Sequence, residues 1–255
     1  MMPPEKLETP DERMRRLITG QFNKVLPRRF YKAVEVSDNN SIFLDGKAIK
    51  TPLKSNLRLP TKALAQAVAA EWQAQKDVID PESMPLTKLA NTAIDRATAE
   101  HQIIVDEITQ YAGSDMVCYF AEGPRELISR QQQHWQPVHD WVVEKLYATF
   151  RKGAGITHIT QPPETLESIR LHVAQFDPWQ LTAVYVLTTL TGSALLSLML
   201  QASAINPEDA WKAAHVDEDF QIEQWGEDDE AVRRRAWRKR EYDGLAGFFD
   251  LLKVG

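Results

Sequence analysis

"FYKAVEVSDNNSIFLDGKAIKTPLKSNLRLP", residues 30–60, decides the fold. Short strand-like runs extend from Tyr31 to Val36, stop at the turn residues Asp38-Asn39-Asn40 and resume from Ile42 to Leu44. They break again at Asp45-Gly46 and resume from Ala48 to Lys50. Alternation places apolar side chains on one face of a strand, and Asp-Gly supplies the positive φ that a tight hairpin turn requires. The stretch predicts a small antiparallel β unit.

After Pro60 the period changes. Thr61 offers a hydroxyl to cap a helix on which Leu64, Val68 and Trp72 share one face. The loop "DVIDPESMP", residues 77–85, leads to a second apolar face made by Leu86, Leu89, Ala90, Ala93 and Ile94. Ser114-Asp115, Gly123-Pro124, Asp177-Pro178 and Asn206-Pro207-Glu208-Asp209 mark further helix starts, where caps, first-turn prolines or acids meet unpaired amides. The pattern defines an α+β protein: a polar arm over residues 1–27, a small antiparallel β-rich domain over 28–95 and a larger all-α domain over 96–255.

The chain has 255 residues, 43% hydrophobic and 26% charged, enough to bury a sizeable core. A net charge of −6 gives no general attraction to phosphate backbones. Cys118 is the only cysteine, which excludes an intrachain disulfide and a zinc site built on several thiolates, and fits a reducing compartment. "MMPPEKLETPDERMRRL" lacks the apolar stretch of a signal peptide, and Glu5, Glu8, Asp11 and Glu12 oppose a basic transit peptide, so a cytoplasmic protein, or a mitochondrial matrix protein already processed, is expected. Trp179 to Ile205 carries no charge and exceeds the ~20 residues that span a bilayer. Its many threonines, serines and glutamines, and the acids Asp177 and Glu208 at its flanks, point instead to a buried helix broken near Thr191-Gly192, with no membrane insertion.

Signatures of catalysis are absent. "RKGAGIT", residues 151–157, lacks the third glycine of a phosphate loop and reads as a turn. "TGSALLS", residues 191–197, does not complete a nucleophile elbow, and Ser193 is expected to bond back to a helix carbonyl. His134 and His139 are spaced so that they point roughly 140° apart on a helix, poor geometry for a shared metal. No catalytic residue, metal or cofactor is expected.

The densest charge lies in "DEDFQIEQWGEDDEAVRRRAWRKRE", residues 217–241. A helix from near Asp228 sets Asp229 before Arg233 and Glu230 before Arg234, the favourable order for helical ion pairs. The basic run Arg233, Arg234, Arg235, Arg238, Lys239 and Arg240 with Trp237 offers an RNA-binding reading, but the adjoining acids repel phosphates and nucleic acid is not expected as a partner. Upstream, Asp217, Glu218, Asp219, Glu223 and Glu227 accompany Phe220 and Trp225. Aromatic anchors ringed by charge suit a docking edge; the alternatives are that both aromatics belong to the core, or that carboxylates among these serve an enzyme in an interdomain cleft.

Ordered along the chain are "RRFYKAVEV" (28–36), "LDGKAIKTP" (44–52), "EWQAQ" (71–75), "MPLTKLANTAID" (84–95), "YAGSDMVCYFAEGP" (111–124), "GS" (192–193) and "DEDFQIEQWGED" (217–228). In these the sequence resembles the Atp-twelve family, assembly chaperones of the F-type ATP synthase that receive its alpha subunit. The resemblance implies a β-rich domain before a helical one and a non-catalytic role, in which the chain binds unassembled alpha subunit, shields it from aggregation and yields it to beta. It maps the family's acidic motif onto Glu218, with Gln221, Trp225, Gly226 and Glu227, inside a segment bounded by Asp217 and Asp228. Glu218 is the first candidate for a functional carboxylate. A bacterial homologue, monomeric when free, is expected. Within "MPLTKLANTAID", Leu86, Leu89, Ala93 and Ile94 are read as core, with Asn91 and Asp95 tying the two domains together, the alternative being direct contact of this segment with the partner.

Overall fold

The protein, as a computed structural model, is described over residues 26–253; residues 1–25, nearly all of the predicted arm, lie outside the described residues. Three strands, β1 (Val34–Val36), β2 (Ile42–Leu44) and β3 (Lys47–Ala48), form an antiparallel sheet in that order. Val34 pairs with Leu44 and Phe43 with Ala48. Asp45 (φ 48°) and Gly46 (φ 75°) make the predicted turn, both in the left-handed region that matches the strand twist. The Asp45 carboxylate also accepts from the amides of Ala33 and Lys32, at 2.8 and 3.0 Å, and these bonds hold its pKa below the usual carboxylate range.

The strands are shorter than the runs predict. Tyr31 leaves the run because its ring turns inward against Trp72 and its hydroxyl donates to the Trp72 carbonyl at 2.7 Å. Ladder bonding beyond β3 continues as single contacts, with the Ile49 amide on the Ile42 carbonyl at 3.0 Å.

Thr61 starts α1 (Lys62–Ala74) as expected, accepting the Leu64 amide at 3.1 Å, and Leu64 and Val68 are fully buried. α2 (Pro85–Thr92) runs on through one π-helical turn at Ala93–Ala97 before α3 (His101–Gly113). α2 has no capping side chain of its own. Glu71 of α1 supplies one: its carboxylate accepts from the amides of Leu86 and Thr87, each at 2.8 Å, and from the Thr87 hydroxyl at 2.7 Å. Burial pushes the Glu71 pKa up despite these bonds. Asp95 accepts from the Thr51 hydroxyl at 2.5 Å and the Leu53 amide at 2.9 Å, tying the π turn to the loop after β3. Asn91, expected to help, makes no side-chain hydrogen bond among the described residues.

The rest is helical apart from one two-strand contact: α4 (Arg125–Leu146), α5 (Pro163–Val173), α6 (Pro178–Thr191), α7 (Ala194–Gln201), α8 (Pro207–Ala214), α9 (Val216–Trp225), α10 (Asp229–Ala246) and α11 (Phe248–Lys253). The uncharged run is a broken core helix. Gly192 (φ 74°) ends α6, and the Ser193 hydroxyl begins α7 by accepting the Leu196 amide at 3.0 Å, a cap rather than the expected bond back to a carbonyl. Leu181, Leu187, Leu195 and Leu198 are fully buried, and no helix among the described residues is long and apolar enough to cross a membrane. The two-glycine stretch is a strand before it is a turn: β5 (Gly153–Ala154) pairs in parallel with β4 (Tyr119–Phe120), and Gly155 (φ 77°) turns the chain.

One core cluster extends from Ile42 in the sheet to Phe249 in α11. The Thr61 hydroxyl donates to the Leu251 carbonyl at 2.6 Å, so the last helix closes on the first. α10 lies against α2, where Lys88 and Glu241 form an ion pair at 2.6 Å. Gly244 permits the approach: a methyl there would overlap Pro85 Cγ and stand 3.1 Å from its Cβ.

A candidate docking groove

Gly226 (φ 83°, ψ −177°) ends α9, and the Asp228 carboxylate starts α10 by accepting the Ala231 amide at 2.9 Å. The two helices double back on each other, with Arg235 of α10 paired to Asp219 of α9. Between them, and floored by Trp211 of α8, lies a groove of about 570 Å³. Ile222, Val232 and Ala231 give it an apolar lining, and Trp225 stands at its edge with 78% of its surface exposed. Phe220, by contrast, is buried, so the two aromatics of the segment divide between edge and core.

The groove brings together Glu218, Gln221, Trp225, Gly226, Glu227 and Asp228. Asp217 is turned away, since one residue on a helix is a step of about 100°. Its carboxylate accepts from Gln131 Nε2 at 2.6 Å, and Gln131 Oε1 accepts the Ala121 amide at 2.8 Å, so Asp217 joins α9 to α4.

Glu218 lies 3.8 Å from Arg235 Nη1 and 3.8 Å from His215 Nε2. His215 is buried, stacked on Trp211 with ring centroids 3.7 Å apart, and its Nδ1–H donates to the Trp211 carbonyl at 2.8 Å. Burial lowers its pKa, which keeps the ring neutral at neutral pH and leaves Nε2 to face Arg238 at 3.5 Å. Arg235 Nη1 is buried without a hydrogen bond. Of the carboxylates that an enzyme would need, Glu218 and Glu227 both line the groove, whereas Asp217 meets Gln131 and Glu223 pairs with Arg130 at 2.7 Å. No three histidine, cysteine or acidic side chains gather as a metal site among the described residues.

The basic run is partly turned inward, Arg235 to Asp219 and Arg238 to His215, while Lys239 pairs along the helix with Asp243 at 2.6 Å. Of the two predicted helical pairs, Glu230–Arg234 closes only to 3.9 Å and Asp229–Arg233 is not formed. Water competes well for such exposed side chains. Sequence reasoning overlooked Trp211, His215 and Lys239 as groove neighbours, along with the role of Arg235. The spacing held a signal for one of them: Asp219 and Arg235 sit at equal distances on either side of Glu227, as facing residues of a helical hairpin must.

The groove, apolar inside and with an exposed tryptophan at its edge, is a candidate docking surface. Similarity to known proteins agrees. The model for "ATP12 chaperone protein" matches residues 28–143. The crystal structure of Atp12 from Paracoccus denitrificans superposes with a TM-score of 0.80 at 37% identity, covering 89% of this chain and 98% of that one. A structure from Agrobacterium tumefaciens does so with a TM-score of 0.83 at 39% identity, covering 96% and 92%. The mitochondrial protein atp12 of Schizosaccharomyces pombe is 26% identical over 214 residues, 78% of this chain and 74% of its own. The chain belongs to the ATP12 chaperone family.

Proposed function

We propose that this chain binds the unassembled alpha subunit of the F-type ATP synthase catalytic head, keeps it from aggregating and yields it when the beta subunit arrives. It acts as a monomer in the bacterial cytoplasm, without a catalytic step. Glu218, Gln221, Trp225, Gly226, Glu227 and Asp228 form the docking edge, and Asp217 supports it from behind. The observation that carries this reading is Trp225, 78% exposed beside an apolar groove. Leaving a large aromatic in water brings no folding benefit, whereas such residues supply much of the affinity when a partner covers them.

The physical demand on such a holder is reversibility. An oligomer subunit exposes apolar interface that aggregates while unpaired, and its holder must cover that surface without holding it permanently. A groove with one aromatic anchor and a charged rim satisfies both needs, because the rim steers encounter and the small anchor limits affinity.

Co-expression with the alpha subunit tests this. The unaltered chain is expected to raise the soluble fraction of that subunit, and Glu218→Lys to remove the gain. No gain from the unaltered chain would sink the function; full rescue by Glu218→Lys would sink the assignment of Glu218.

A further inference from the structure

Glu227 is the charged residue at the groove that the fold leaves over. The lining holds three carboxylates, Glu218, Glu227 and Asp228, against two cations, Arg235 and Lys239. Both cations are engaged internally: Arg235 with Asp219 and Glu218, Lys239 with Asp243 at 2.6 Å and with Glu208 at 4.0 Å. Asp228 is committed to the cap of α10. Glu227 has no ion pair among the described residues, and from Asp217 to Glu230 the chain contains eight acids and no lysine or arginine. A net negative mouth therefore stands over an apolar floor.

We infer that the groove takes an amphipathic client segment that seats an aliphatic or aromatic side chain between Ile222 and Val232 and places an arginine or lysine over Glu227. This rests on the docking role proposed above and gives that site its recognition chemistry. Charge complementarity disfavours the mirror choice, because an acidic segment meets three carboxylates and the lining holds no free cation to receive it. It also disfavours a second copy of this chain. A symmetric contact through this edge sets acid against acid, and the whole chain carries a net charge of −6.

The test is fluorescence anisotropy of labelled peptides on the full chain. Three synthetic probes are used: an amphipathic peptide of leucine and arginine, the same order with glutamate for arginine, and the same order with serine for leucine. The first is expected to bind, and to weaken as salt rises; the other two are not. Trp225→Ala should weaken the first peptide about thirtyfold, as loss of an aromatic anchor does. Glu227→Lys should weaken it about fivefold and admit the acidic peptide, and Glu227→Gln should reduce the salt dependence. Equal binding of basic and acidic peptides, or an unchanged preference in Glu227→Lys and Glu227→Gln, overturns the inference. So does a concentration-dependent dimer that Trp225→Ala dissolves. Because no alpha subunit is present, lost peptide selectivity with intact rescue refutes this inference alone. Intact selectivity with lost rescue refutes the alpha-subunit reading alone.

Discussion

Asp115 Oδ2 accepts the amide of Leu195 at 3.0 Å, which joins the turn after α3 to the first turn of α7. Asp115 is fully buried; burial pushes its pKa up to about 6, although the Leu195 and Val117 amides act to lower it. The folded-state value thus lies above the ordinary 3.8, so the folded chain binds this proton more tightly than the unfolded one. That contribution is complete below the unfolded pKa and is lost as pH rises through about 6, a change of about 3 kcal/mol. Asp115→Asn cannot titrate. Urea unfolding should show the stability difference, unaltered minus variant, falling by about 3 kcal/mol between about pH 3 and about pH 7. A flat difference would refute the assignment.

Three histidines act with the opposite sign. Burial lowers the pKa of His139, His172 and His215 below the ordinary 6.5. The unfolded chain binds these protons more tightly, so their contribution is present above pH 6.5 and is lost as pH falls through the folded-state values. His139 is the clean case, since its Nε2–H donates to the Val117 carbonyl at 2.9 Å. His139→Gln keeps a donor without the titration and should flatten the acid side of the stability profile. An unaltered profile would exclude His139 as a source of it.

Lys88 and Glu241 make a mostly buried pair, with Glu241 the more enclosed of the two. Lys88→Met leaves that carboxylate without its cation and should cost about 2 kcal/mol, less than a fully buried pair because Lys88 keeps some contact with water. The double change Lys88→Met with Glu241→Met should recover most of the loss, since it removes the stranded charge. Thermal and urea unfolding of the set would reveal it; equal losses in the single and double variants would show that packing dominates.

Gly244 and Gly247 give opposite forecasts for the same substitution. Alanine in a helix is favoured over glycine by about 1 kcal/mol when space allows. At Gly244 the added methyl collides with the rigid Pro85 ring, so Gly244→Ala should destabilise by about 2 kcal/mol. At Gly247 nothing lies within 4 Å and the backbone is unstrained, so Gly247→Ala should be neutral or slightly stabilising. Matching midpoints for the two variants would contradict the close approach of α10 to α2.

Trp225→Ala separates binding from folding. With its ring 78% exposed, removing it should shift the unfolding free energy by less than about 0.5 kcal/mol while abolishing rescue of co-expressed alpha subunit. A large stability loss would place Trp225 in the core after all.

Local chemistry was the legible part of this sequence. Asp45-Gly46 specified its own turn, and Thr61, Asp177, Asn206 and Asp228 each cap a helix as their neighbours require. Partners far apart in the chain were not legible. Nothing near Glu71 announces that it caps α2, and nothing near Ser114-Asp115 or Gly192-Ser193 announces that these two motifs meet. The candidate edge was found as a segment, yet the helical step that sends Asp217 to Gln131 and Glu218 to Arg235 needed the packed structure, because register about the axis depends on which neighbour is covered. Tyr31 shows the same limit in a strand: its type and place suit an extension of β1, but tertiary burial against Trp72 overrides them.

α10 belongs to two places at once. Its first half walls the groove through Val232 and Arg235, and its second half is fixed to α2 through Glu241 and Gly244. Amide exchange in α10 and α2 should therefore report one cooperative opening rather than two. A ligand that slows exchange at the groove wall must then slow it in α2 as well, by the same factor, so that occupancy is registered in the amino-terminal part of the chain without any contact there.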